Sequence, residues 1–173
     1  TTRPLQIWSG VYPVRSYDVD ARGHLSVATI CNFLQDAAGC HAYALGVSID
    51  QLHLRHLTWV LVRMRVELTR HLGWQDRLHI QTWPSHQERL FSHRDFLLLD
   101  EAGEDVGRCV TVWVLMDLQR WRPRRLTALP GFRAMRSLVR QGDVAQVADR
   151  MRATTRVPAP HTTGIGAAIA WLP

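Results

Sequence analysis

Val14-Arg15-Ser16-Tyr17-Asp18-Val19-Asp20-Ala21-Arg22-Gly23-His24-Leu25 runs through Ser26 into an apolar stretch, Val27 to Leu45. Residues 9–19 carry strand-like side chains up to an acidic turn that ends in Gly23-His24. The first amides of a helix have no partner inside it, and the Ser26 hydroxyl can accept from one of them. From there Val27, Ile30, Cys31, Leu34, Ala37, Ala38 and His41 recur at helical spacing, and Phe33, Cys40 and Leu45 widen that face. This predicts one largely buried helix with Gly46 as its stop.

Downstream the period changes from helical to alternating. Residues 47–56 read as a loop or short helix. In Leu57 to His71, Val60, Val62, Met64, Val66 and Leu68 point one way and Trp59, Leu61, Arg63, Arg65 and Glu67 the other, which predicts a long, regularly alternating strand with one core face. Gly73 to Asp76 is a turn, Arg77 to Pro84 and Arg89 to Asp100 are strands, Glu101 to Glu104 is a hairpin turn, and Asp105 to Leu118 is a further strand. One early strand, one buried helix and a meander of long strands make an α+β layer pair, a sheet wrapped around a central helix. Residues 1–126 form this domain. Residues 127–173 read as an extension: an amphipathic helix over 131–152, with Phe132, Met135, Leu138 and Val139 on one side, then an irregular tail.

At 173 residues, 46% apolar and 21% charged, the chain suits a single globular domain. No uninterrupted apolar run reaches the roughly 18 residues of a membrane span, since Asn32, Gln35, Asp36 and His41 break the stretch from Val27 to Leu45. No charged segment followed by an apolar core opens the chain, so no signal peptide is expected. Cys31, Cys40 and Cys109 are odd in number and lack metal or disulfide spacing; Cys31 and Cys40 read as small core residues, and a reducing cytoplasm is expected. The histidines show no zinc-ligand spacing, the tryptophans read as core or sheet-packing residues, and Gln35 is expected to bond backbone. There is no glycine-rich phosphate loop, hence no nucleotide cofactor, and no GxSxG elbow of an α/β-hydrolase. Net charge is +6, and all 21 basic residues are arginine. Arg120, Arg122, Arg124 and Arg125 cluster, a patch that attracts an acidic partner. No interleaving of aromatic and basic residues points to nucleic acid.

Several stretches stand in a characteristic order: Val14-Arg15-Ser16-Tyr17, Asn32-Phe33-Leu34-Gln35-Asp36-Ala37-Ala38 with His41, Leu45-Gly46, Trp59-Val60-Leu61 with Arg63-Met64, Thr82-Trp83-Pro84, Arg94-Asp95-Phe96, Trp113-Val114-Leu115-Met116-Asp117 and Arg122-Pro123. Together they resemble the acyl-acyl-carrier-protein thioesterases of plants and bacteria. The resemblance implies a hotdog fold and hydrolysis of acyl thioesters. Those enzymes usually carry two hotdog units, and the match is to the first, which shapes the acyl pocket. The catalytic turn of the second unit is Asp-x-Asn-x-His followed by Asn-Asn. Here Asp20 and His24 match its Asp and His, Arg22 replaces the Asn, and Ser26-Val27 replace the Asn pair. The 4-hydroxybenzoyl-CoA thioesterases carry an Asp-x-Asp-Pro-x-Gly turn whose catalytic Asp also corresponds to Asp20.

The resemblance thus implies Asp20 as nucleophile or general base, with His24 and the strand residue Glu67 in support. Asp20 read simply as a turn carboxylate, and Glu67 as a surface ion pair with arginine, are the plain alternatives. Gly23, Leu25 and Ser26 would surround the thioester, with amides from Leu25 to Ala28 as an oxyanion site, and Asp36 is a reserve carboxylate on the helix. The arginines 120, 122, 124 and 125 would meet carrier protein. No cofactor or metal is implied. The donor can be carrier protein or CoA, and a homodimer is expected to rebuild the two-unit arrangement. A non-catalytic acyl-binding partner is the alternative outside enzymes.

Overall fold

Strands joined by short turns pair antiparallel with their neighbours, and the long strands after residue 76 do so. The computed structural model describes residues 7–139. They form β1 (Trp8–Pro13), α1 (Val27–Ala44), α2 (Ile49–His53), β2 (Leu57–Leu68), β3 (Arg77–Gln87), β4 (Phe91–Leu99), β5 (Asp105–Asp117), β6 (Arg122–Pro123) and α3 (Phe132–Val139), with a 3-10 turn at Leu126–Ala128. The sheet is antiparallel in the order β1-β3-β4-β5-β2, and β6 pairs with the end of β5. With α1 packed on one face, this is the hotdog arrangement expected from the sequence.

Ser26 caps α1 as its position suggested: its Oγ accepts from the Thr29 amide at 3.2 Å. The core lies between α1 and the sheet. Ile30, Leu34, Ala37 and Ala38 pack against Leu78, Ile80, Phe96, Leu98 and Cys109. A second cluster joins Val47, Leu52, Leu57 and Leu115 to Leu126, Leu129 and Met135, so the segment after residue 126 is built into the same body. The predicted helix over 131–152 is present as Phe132–Val139. Its later residues, Arg140 and the 153–173 tail lie outside the described residues.

Four expectations need correction. The first concerns α1, which is half buried, not largely buried. Ile30, Leu34, Ala37, Ala38 and His41 face inward, while Asn32, Gln35, Asp36, Gly39, Cys40 and Tyr43 are exposed. A single sheet covers one side of a helix, so an apolar residue on the other side stays in solvent. Second, the two faces of β2 are not those of a regular alternation. The register against β5 shifts between Leu61 and Arg63, which leaves Val62 without a partner. A bulge of one residue exchanges the faces beyond it. Trp59 and Leu61 therefore share the inner side with Met64 and Val66, and Val60 and Val62 are 41% and 49% exposed. Third, Trp83 is fully buried, but Trp74 and Trp121 are exposed. Fourth, Cys40 is exposed and Cys31 half-buried; only Cys109 is a core thiol, and burial pushes it well up.

Candidate active site

The acidic turn is self-braced. The Asp20 amide donates to the His24 carbonyl at 2.7 Å, and Asp20 Oδ1 accepts from the Arg22 and His24 amides at 2.8 and 3.1 Å. Those amides, His24 first, hold the exposed Asp20 carboxyl below its ordinary 3.8. Gly23 adopts φ +77°, a conformation only glycine takes without strain. His24 stacks on His71, ring centroids 4.3 Å apart and nearly parallel. Asp18, buried, accepts from the Arg15 amide at 2.8 Å and fixes the approach to the turn. The structure thus gathers Asp20, Gly23, His24, Leu25 and Ser26 in one place.

The oxyanion site expected from Leu25 to Ala28 shrinks to its second half. The Leu25 amide donates to Leu72 O and the Ser26 amide to Asp18 O, at 2.7 and 2.9 Å. Only Val27 and Ala28 keep the open amides of a helix start. Beneath this turn the interior is packed. The cavity bounded by Leu25, Ile30, Leu72 and Leu98 is only about 10 Å³, less than an acyl chain needs.

The two outlying carboxylates are elsewhere. Glu67 is engaged by Arg108 at 2.7 Å and by Arg65 at 2.6 Å. Asp36 lies on the exposed side of α1 and accepts from Tyr12 Oη at 2.8 Å. Burial, with Asp36 adding to it, pushes the Tyr12 phenol well up. Of the arginine cluster, Arg124 is tied to Asp117 at 2.9 Å, while Arg120, Arg122 and Arg125 are exposed.

A larger space lies at the other end of α1. A chamber of about 330 Å³ is bounded by Gly39 and Ala42 of α1, Trp59 and Leu61 of β2, Trp113 of β5 and Met135 of α3. Ser92 and Arg94 of β4 and Gln35 of α1 give it a few polar points. Such a mainly apolar cavity with sparse polar groups is the form a small-molecule site takes. Gln35 faces this chamber, not the backbone contact expected of it. Arg94 is the unexpected member. It is 8% exposed, and its Nη1 donates to His41 Nδ1 at 3.0 Å and to Thr82 Oγ1 at 3.1 Å. An arginine cannot accept, so His41 Nδ1 does, and the ring proton sits on Nε2. Burial pulls the guanidinium down to about 10, still protonated at neutral pH. No carboxylate among the described residues forms an ion pair with it. Arg94 could be found in the sequence as the one charge among the inward positions Ser92, Phe96 and Leu98 of β4. The rest of the chamber could not, because six elements contribute to it.

Among the described residues no group of three histidine, cysteine or carboxylate side chains is placed to hold a metal, and no helix is long and apolar enough to cross a membrane.

Comparison with known proteins places this architecture. Residues 6–129 match the model of the acyl-ACP thioesterase N-terminal domain. The chain is 37% identical over 121 residues to oleoyl-acyl carrier protein thioesterase 2 of Arabidopsis thaliana, covering 66% of this chain and 33% of that one. An acyl-ACP thioesterase structure from Bacteroides thetaiotaomicron superposes with a TM-score of 0.67 at 29% identity, covering 72% of this chain and 51% of that one. The DHNA-CoA thioesterase of Staphylococcus aureus shares the fold, with a TM-score of 0.66 at 15% identity over 85% and 91% of the two chains. The chain thus spans about a third of the plant relative and half of the bacterial one. By its sequence and by its fold, it belongs to the acyl-acyl-carrier-protein thioesterase family, matching the N-terminal hotdog domain.

Proposed function

We propose that the protein hydrolyses acyl thioesters of acyl carrier protein and releases the free fatty or polyketide acid. The observation that carries this is the apolar chamber between α1 and the β4-β5-β2 side of the sheet, in a chain of this family. The chamber takes the acyl chain. Asp20 acts as general base or nucleophile, with His24 beside it and the Val27 and Ala28 amides facing the developing oxyanion. The donor is carrier protein, favoured over free CoA by the exposed Arg120, Arg122 and Arg125. Catalysis needs no cofactor, and the location is the cytoplasm, in keeping with unpaired cysteines.

Turn and chamber lie at opposite ends of α1. From Val27 to Ala38 the helix rises roughly 16 Å, and the interior below the turn is filled. A symmetric homodimer along β2 resolves this: the chamber reaches the edge strand at Trp59 and Leu61, so the turn of one copy can serve the chamber of the other. The same separation favours a second reading, an acyl-binding unit whose catalytic turn is supplied by a different chain.

The test is hydrolysis of matched acyl-carrier-protein and acyl-CoA thioesters by the wild type and Asp20→Asn. Wild-type turnover that drops ~100-fold or more in the variant, the scale of a lost general base, supports the thioesterase. Acyl binding without turnover selects the second reading, and turnover unchanged in the variant removes Asp20 from the mechanism.

A further inference from the structure

Helix α3 stands between the chamber and a second, differently built space. Met135 turns to the chamber, whereas Phe132 and Arg136 line a cleft of about 560 Å³ whose other wall carries Gln87, Arg89 and Arg125. The Leu126 amide donates to the Arg89 carbonyl at 3.1 Å, pinning the β3–β4 turn to the segment before α3 and so fixing both walls. Three arginines thus line one cleft. Among the described residues none of the three has an ion-pair partner. The lining holds one acid, Glu88, and its Oε1 lies 3.3 Å from His93 Nε2 and 3.8 Å from His86 Nε2.

Gln87 supplies an independent sign. Both polar atoms of its side chain are shielded from solvent and have no hydrogen-bond partner among the described residues. An amide left so costs stability, a cost that a ligand able to accept from Nε2 would remove. Three arginines, a donor amide and an apolar wall from Phe132 fit an oxyanion on an organic arm. Arginine binds phosphate oxygens through paired, charge-assisted hydrogen bonds. A helix is about 10 Å across, so a ligand that reaches both spaces needs an arm to bridge that width.

Resting on the thioesterase reading, we propose that Arg89, Arg125 and Arg136 hold the phosphate of the substrate's phosphopantetheine arm while the acyl chain occupies the chamber on the neighbouring face of α3. This moves the anion contact from Arg120 and Arg122 to the cleft beside α3, where all three arginines are solvent-exposed and so open to a ligand, and only Arg125 belongs to both sets. Phosphate is common to a carrier-bound arm and to coenzyme A, so the site by itself serves either donor.

Binding measured by calorimetry, without any turnover, tests it with 4′-phosphopantetheine and pantetheine as probes. Wild type is expected to bind the phosphorylated probe at least ~10-fold more tightly, the worth of a charge-assisted hydrogen bond. The Arg89→Gln/Arg136→Gln double variant, its fold checked by circular dichroism, is expected to bind the two alike. Equal binding by the wild type, or a preference kept by the double variant, overturns the site. Competition by coenzyme A or by holo-carrier protein identifies the source; displacement by either supports the site, and displacement by neither overturns it. If phosphate-dependent binding is lost in the variant but no thioester is hydrolysed, the site stands and the thioesterase reading fails. If hydrolysis proceeds but is indifferent to the phosphate, the reverse holds.

Discussion

Asp20 spends one carboxylate oxygen on its own turn, accepting from the His24 and Arg22 amides. That geometry both orients it and keeps it ionised. A group whose native pKa is depressed is charged above that pKa and loses its charge as pH falls through it. If Asp20 is the base, kcat/KM stays level through neutral pH and its acid limb falls below the ordinary 3.8; a limb near pH 6 instead would assign the proton transfer to a histidine. Gly39 offers a complementary handle on the chamber. It lines that space, and a Cβ built on it meets nothing within 4 Å. Gly39→Leu is therefore expected to keep or slightly raise the Tm, since glycine costs an exposed helix about 1 kcal/mol, while filling part of the cavity. Its kcat/KM over a ladder of chain lengths should shift to shorter acyl groups; an unchanged profile would mean the chain lies elsewhere. Residues of this kind differ in how visible they are in sequence. Asp20 and Ser26 sit in a local motif whose partners are within four residues, so the turn and cap were legible. Arg94 depends on His41, 53 positions away, and no local pattern announces that pairing.

The elements show the same division. Turns such as Glu101 to Glu104 and the alternation in β4 are local, and the meander was accordingly readable. The β2 bulge was not, because Leu57 to Leu68 is apolar at positions of both parities and either face could be the inner one. Pairing with β5 decides it. The two strands meet again at Gly107, where a Cβ would lie 2.3 Å from the Glu67 carbonyl oxygen and 3.1 Å from Leu68 Cα. Both obstacles are backbone or close to it, so the neighbour cannot swing away. Gly107→Ala is expected to destabilise by about 1–3 kcal/mol, the usual cost of overpacking, read as a lower midpoint in urea. A midpoint equal to wild type would show that the β2–β5 ladder yields more easily than its hydrogen bonds suggest.

At the level of the molecule, two exposed surfaces of the described residues border the chamber. Among the described residues β2 pairs only with β5 and ends the sheet, and a 12-residue edge strand with two exposed valines invites pairing with another chain. The exposed side of α1, from Asn32 through Gly39 to Tyr43, borders the chamber through Gln35 and Gly39. One partner unit placed along β2 would continue the sheet, close the chamber beside Trp59 and Leu61, and bring in a second Asp20 turn. Light scattering at micromolar concentration is expected to give twice 19.8 kDa. Charges on an edge strand discourage such pairing, so Val60→Lys/Val62→Lys is expected to return the mass to 19.8 kDa. Thioester hydrolysis should fall with it, because turn and chamber of one copy are too far apart to act together. A variant that is monomeric yet fully active would sink the composite site and require Asp20 to reach the acyl group within its own chain. A wild type that is already monomeric and active would do the same without mutation.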